Sequence, residues 1–106
     1  MFFEDISQTQ VIWMLRNAVG WANWSNDGQS ILPVWSSEEM AKDSAEPLFR
    51  GYTSEAVRLD SFVQNVLPEL QTRNLWIGIN LFRDMTGIDL SVTEMVQEIN
   101  KNSPTA

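Results

Sequence analysis

A chain of 106 residues with no histidine and no cysteine has few side chains that can do chemistry. The first absence removes the commonest general base and the commonest transition-metal ligand, and the second removes thiolate nucleophiles, thiolate metal sites and disulfides. What remains is carboxylates, hydroxyls and five tryptophans: Trp13, Trp21, Trp24, Trp35 and Trp76. Asp84 and Asp89 flank Met85-Thr86-Gly87 and offer oxygen ligands to a hard cation, but they lack the alternating acids of an EF-hand loop, so no metal site is assigned. No spacing singles out a pair of acids for hydrolysis across a cleft. Gly20, Gly28, Gly51, Gly78 and Gly87 are isolated, so no phosphate-cradling loop is present. The sequence therefore assigns no catalytic, cofactor-binding or metal-binding residue.

Binding is the chemistry left. Tryptophan is enriched at protein interfaces, although tryptophans on strands more often belong to the core or to a half-buried sheet face. Trp21 and Trp24 lie three apart on one predicted strand and so should point to opposite faces, which makes one of them a surface candidate. Glu38, Glu39, Asp43 and Glu46 form a negative helix face that suits a basic partner. Acids at a helix start are also favoured by the macrodipole alone. The partner-binding candidates are thus Trp21, Trp24, Glu38, Glu39 and Asp43. Seven basic against 14 acidic residues give a formal charge of −7 and a pI near 4.3. That balance disfavours nucleic acid and anionic membrane, both of which draw on basic residues, and favours capture of a basic protein.

The elements that must position these residues are read from pattern. Val11 to Leu15 is a β-branched and aromatic run, Val19 to Trp24 a second, and Gln29 to Trp35 a third, with turns at Arg16-Asn17 and at Ser25-Asn26-Asp27-Gly28. A three-stranded antiparallel meander follows. Pro33 cannot donate to a ladder, so the third strand is expected at a sheet edge or irregular there. Ser36 with Glu39 reads as a capping box, Trp35 with Met40 as its hydrophobic staple, and the helix should end by Pro47. Ser91 with Glu94, flanked by Leu90 and Met95, repeats the device before a stripe of Val92, Met95, Val96 and Ile99. Between them, Ala56 to Leu59 reads as a short strand, and Asp60 or Ser61 caps a helix with Phe62, Val63, Val66, Leu67 and Leu70 on its core face. Pro68 should kink or break that helix. Leu75 to Phe82 is apolar on both faces, as a central strand should be, and Ile88-Asp89-Leu90 returns as a last short strand.

Taken in order, Gly20-Trp21-Ala22, Asp27-Gly28, Leu32-Pro33-Val34-Trp35, Gly51-Tyr52, Leu59-Asp60-x-Phe62 and Leu67-Pro68-x-Leu70 resemble the bacterial family catalogued as domain of unknown function 2750. The resemblance runs from about Val11 into the C-terminal helix. It implies a small stand-alone α+β domain and implies no activity. Two features depart from the family pattern. Only Met1 to Ile6 stands where a fuller helix is usual, with Phe2 and Phe3 placed to cover the surface it would leave, and Ser36 stands where proline is frequent. Leu32 to Glu38 is also similar, more weakly, to the amino-terminal domain of secretion-associated SseB-like proteins.

The sequence predicts one α+β domain over residues 1–101, with an antiparallel-rich sheet, about three helices packed on it and a disordered tail over 102–106. The acidic N-terminus and the lack of a long apolar run predict a cytoplasmic protein without a secretory signal. The functional expectation is a non-enzymatic protein-binding domain, such as an acidic antagonist or immunity-type protein for a basic toxin or nuclease. The alternative is a small-ligand or carboxylate-based enzymatic domain with a tryptophan-lined pocket, and a third possibility is a homodimer built on the Pro33 strand or the N-terminus.

Overall fold

The computed structural model describes residues 2–26, 28–80 and 88–101. Asp27, the Leu81-Phe82 end of the predicted central strand, Asp84, the Met85 to Gly87 turn and the 102–106 tail lie outside the described residues, as does the side chain of Glu46. The fold is α+β. Along the chain run α1 (Phe2–Thr9), β1 (Val11–Arg16), β2 (Trp24–Asn26), β3 (Gln29–Val34), α2 (Glu38–Leu48) and β4 (Thr53–Arg58). Then comes one continuous helix, α3, made of an α-turn Leu59–Ser61, a π-turn Phe62–Val66 and an α-helical segment Leu67–Thr72. It is followed by β5 (Trp76–Ile79), β6 (Ile88–Leu90) and α4 (Val92–Lys101). The described residues thus hold four helices, one more than the sequence suggested, and the addition is α1.

β2, β3, β5 and β6 form one sheet in that order, and β1 with β4 forms a second. Among the described residues only the β3–β5 pair is parallel. The two sheets meet through one pair of residues, Trp13 and Trp35, whose backbones exchange both hydrogen bonds at 2.8 and 2.9 Å. β1 therefore joins the end of β3, while β2 pairs with its beginning. The hairpin of β2 and β3 is as expected, but β1 does not extend it into a three-stranded meander: it pairs with β4, and the strand after it is shorter and later than Val19 to Trp24. Trp21 makes only an isolated bridge to Arg16, and regular pairing starts at Trp24. Asn17 turns the chain through its side chain, whose Oδ1 accepts from Val19 and Gly20 N–H, rather than through a left-handed backbone.

β3 is not an edge strand, and Pro33 still fits it. Val34 C=O accepts from Asn80 on the β5 side, and Trp35 faces Trp13 on the other side. Alternation along the strand then turns the Pro33 nitrogen towards the second side, between the stretch paired with β2 and the residue paired with β1. The missing N–H thus falls where β3 changes partners. Across the parallel pair Pro33 stands opposite Gly78. A Cβ added at Gly78 would approach Ile31 Cγ2 to 3.0 Å, a tight contact that the buried Ile31 side chain must relieve by shifting a few tenths of an ångström. Gly78→Ala is expected to lower the unfolding free energy by about 1–3 kcal/mol, read from urea denaturation.

Each face of this framework has its own core. Ile12 and Met14 of β1, with Leu32 and Val34 of β3, face Phe2, Phe3 and Ile6 of α1, Phe62, Leu67 and Leu70 of α3, and Met95 of α4. Phe2 and Phe3 thus do cover the N-terminal surface. Trp13 and Leu15, the alternate residues of β1, face α2 and gather with Trp35, Ala41, Phe49 and Tyr52. The architecture is helix, sheet, helix, with three helices on one face and α2 alone on the other.

Local chemistry explains the helix ends. α1 stops at Gln10, which takes φ 61° while its N–H donates to Ile6 C=O and its side chain to Ser7 C=O. At α2 the cap is Ser37 and not Ser36: Ser37 Oγ accepts from Met40 N–H at 3.2 Å. Ser36 N–H is taken instead by Asn80 Oδ1, which ties the start of α2 to the end of β5. α2 also runs to Leu48, one residue past Pro47. At α4 the capping box is reciprocal, with Ser91 N–H donating to Glu94 Oε1 at 3.1 Å and Glu94 N–H to Ser91 Oγ at 3.2 Å. Ser91→Ala is expected to cost about 1 kcal/mol, with thermal melting as the check. α3 begins directly at Leu59 with Arg58 in the cap position, and Asp60 lies inside the first turn, where its Oδ1 accepts from Ser61 N–H at 2.8 Å. Pro68 does not break it. Leu67 N–H reaches back to Phe62 C=O, and this wide turn brings the helix to a residue that has no N–H to give.

Candidate binding cleft

α2 packs on the β1–β4 pair but does not cover all of it. Ala41 and Ser44 are buried beneath the helix, and Ala45 is half-buried beside Phe49 and Tyr52. Glu38, Lys42 and Ala45 follow at helical spacing and form one wall of an open cleft of about 670 Å³. Its other side is Tyr52, Thr53 and Ser54, entering β4, and its end is closed by Phe49, Arg50 and Gly51. Gly51 has φ 88°, the left-handed turn that swings the chain from α2 into β4. Phe49 is fixed from both sides by edge-on ring contacts, 6.4 Å from Trp35 and 6.1 Å from Tyr52, centroid to centroid. The apolar floor is thus held by packing, whereas the rim is polar: Lys42 and Glu38 pair at 3.6 Å with both side chains well exposed. That pair adds little stability.

The sequence-predicted residues divide around this cleft. Glu38, Glu39 and Asp43 are all exposed on α2. Glu38 lines the cleft, and Glu39 and Asp43, four apart, take the neighbouring flank of the helix. Trp24 is half-buried in the cluster under α2, whereas Trp21 is half-buried against the opposite core. They do reach opposite faces, but not as members of one strand, because the chain is irregular between them at Ala22 and Asn23. Neither is an exposed anchor. Trp21 is covered by Arg16, whose guanidinium lies 5.3 Å from its ring centre and also meets Glu55 at 3.4 Å. Trp24 buries its indole Nε1 with no hydrogen-bond partner. Leaving a donor so costs about 1–3 kcal/mol. Trp24→Phe removes that donor and keeps an aromatic ring, so its stability is expected to stay within about 1 kcal/mol of the parent in denaturation.

Trp35 is fully buried, Trp13 is half-buried, and Trp76 lines a smaller recess of about 180 Å³ with Asn74, Ser91 and Val92. No tryptophan lines the larger cleft. Among the described residues no group of three or more acids could gather round a metal ion, and Asp89 sits on β6, opposite Gly78. Sequence reading missed Tyr52, Phe49 and Lys42 as cleft residues. The signal available was Gly51-Tyr52 directly after a helix, a turn that places an aromatic beside the helix it leaves.

No helix among the described residues is long and apolar enough to cross a membrane. The family model described as "Protein of unknown function (DUF2750)" matches residues 1–99. No curated protein matches the chain.

Proposed function

The chain belongs to the family described as protein of unknown function (DUF2750), and from that premise we propose that it acts by binding another protein rather than by catalysis. In this reading it is an acidic antagonist or immunity-type protein for a basic partner in the bacterial cytoplasm. The observation that carries it is the setting of α2. Its acids are exposed on one flank, an open cleft with an apolar floor lies along the other, and the formal charge of −7 surrounds both. A helix so placed can steer a basic surface towards the cleft and then seat an apolar side chain in it. Nucleic acid and membrane fit the same charge poorly.

The test begins with affinity capture from lysate at low and at physiological salt, followed by association kinetics of the captured partner. Reversing Glu39 and Asp43 together to lysine is expected to slow association by about tenfold or more at low salt and to flatten its salt dependence. Absence of a stoichiometric partner at either salt overturns the reading.

A further inference from the structure

Beyond the cleft, β4 has an unused side. Among the described residues it pairs with β1 alone, in an unbroken antiparallel register from Thr53 opposite Arg16 to Arg58 opposite Val11. Leu59 N–H donates to Gln10 C=O, and Leu15 C=O turns away from β4 to accept from Ala22. With alternation, these two bonds fix which groups point where. The backbones of Thr53, Glu55 and Val57 face β1, and those of Ser54, Ala56 and Arg58 face outwards.

This edge lacks the usual protections. β4 contains no proline, no lysine and no bulge, and six residues is a full strand length. Glu55, which could screen it, is drawn to Arg16, and Arg58 is drawn to Asp60 at 3.2 Å. The alternate side chains Ser54 and Ala56 stand opposite Leu15 and Trp13, on the face that α2 covers, and Ser54 lines the cleft. The open edge and the cleft are thus parts of one groove, with backbone donors and acceptors along one side and α2 along the other.

We infer that this groove binds an extended, net-basic segment of a partner protein, which adds to β4 as a strand and lays alternate side chains over the cleft beside α2. The inference rests on the protein-binding reading above and specifies its mode. Unpaired N–H and C=O groups at alternate residues are matched by an extended backbone and not by a helix. An apolar side chain of the added strand meets Ala45, Phe49 and Tyr52; the charged lining of the cleft is itself mixed, Glu38 with Lys42 and Arg50, so selection of a basic segment comes from the long-range field of the whole chain at −7. The same field acts against a second copy of this chain in the groove, because two bodies of −7 repel.

A random-peptide phage library selected on the immobilised protein supplies the probe. Selected peptides should be net basic, and N-methylation along the best synthetic peptide should weaken binding at alternate positions only. Amide exchange should slow at Ser54, Ala56 and Arg58 and stay unchanged at Thr53, Glu55 and Val57. Ala56→Pro removes one outward N–H without touching the β1 ladder, a place where an edge strand accepts proline. It should keep the parent's circular dichroism and weaken the peptide about tenfold or more. Should that variant fail to fold, the N-methyl series still decides. Unchanged binding by a folded Ala56→Pro protein, protection at β2 or β6 instead, or a dimer in sedimentation that protects β4 would overturn the inference. If lysate capture yields a stoichiometric partner while selection yields no peptide, strand addition fails and the protein-binding reading stands. If capture yields none, that reading fails by itself.

Discussion

Trp35→Ala is expected to lower the unfolding free energy by about 3–5 kcal/mol, a large part of the 5–15 kcal/mol that holds a domain of this size together. The side chain is fully buried and its ring meets Phe49 edge-on. Its removal leaves a void beneath α2 that Trp13, Ala41 and Tyr52 can fill only by moving. The backbone of residue 35 also carries the junction to Trp13, so a shift there spreads to both sheets. Circular dichroism in a urea gradient measures the loss. The cleft should suffer too, because Phe49 and Tyr52 form its floor and Trp35 supports them. A variant that binds as before while losing that stability would mean that the floor is held by the sheet alone.

Phe62→Ala should cost as much, about 3–5 kcal/mol, by a route that spares the cleft. Phe62 is fully buried on the other face, packed with Ile12, Met14, Leu67 and Met95, and it opens the π-turn of α3. No residue of its cluster lines the cleft. Binding by the folded fraction of this variant should match the parent. Across the sheet the two substitutions share no contact, so their costs should add to within about 0.5 kcal/mol in the double variant, provided it still folds. A large coupling between them would show that β1 transmits strain from one core to the other.

Most elements were legible in the sequence, and the departures have identifiable causes. The capping box at Ser91 and Glu94 was read correctly because both halves are local and nothing competes for them. Its counterpart at Ser36 and Glu39 does not form: Ser37 caps α2 through Met40 N–H, and the Ser36 N–H goes to Asn80, far along the chain. Pro33 suggested an edge strand by a sound local rule, and the structure satisfied that rule differently, by changing the partner of β3 at that residue. The kink or break expected at Pro68 is replaced by a continuous helix, in which a π-turn over Phe62–Val66 precedes the proline. The pairing of β1 with β4 was not legible, since strand pairing across an intervening helix leaves no periodic trace. The candidate site shared that fate. The acids of α2 were visible, but the cleft beside them needs β4 in place, and so Lys42, Phe49 and Tyr52 were missed. The tryptophans looked like a binding surface and are chiefly framework, with Trp35 as its centre.

Among the described residues β1 has its ladder partner in β4 and β3 its parallel partner in β5, which bears on the order of assembly. As the chain leaves the ribosome, the hairpin of β2 and β3 can form early, but β1 must wait until α2 and β4 have been made. The inner side of β3 waits longer still, until α3 is complete and β5 follows. Pairings that close long loops form slowly, and until they close, apolar strands such as Val11 to Leu15 have open edges. A nascent chain halted before Ile79 therefore still carries β3 without its parallel partner, the kind of open apolar edge through which incomplete chains associate.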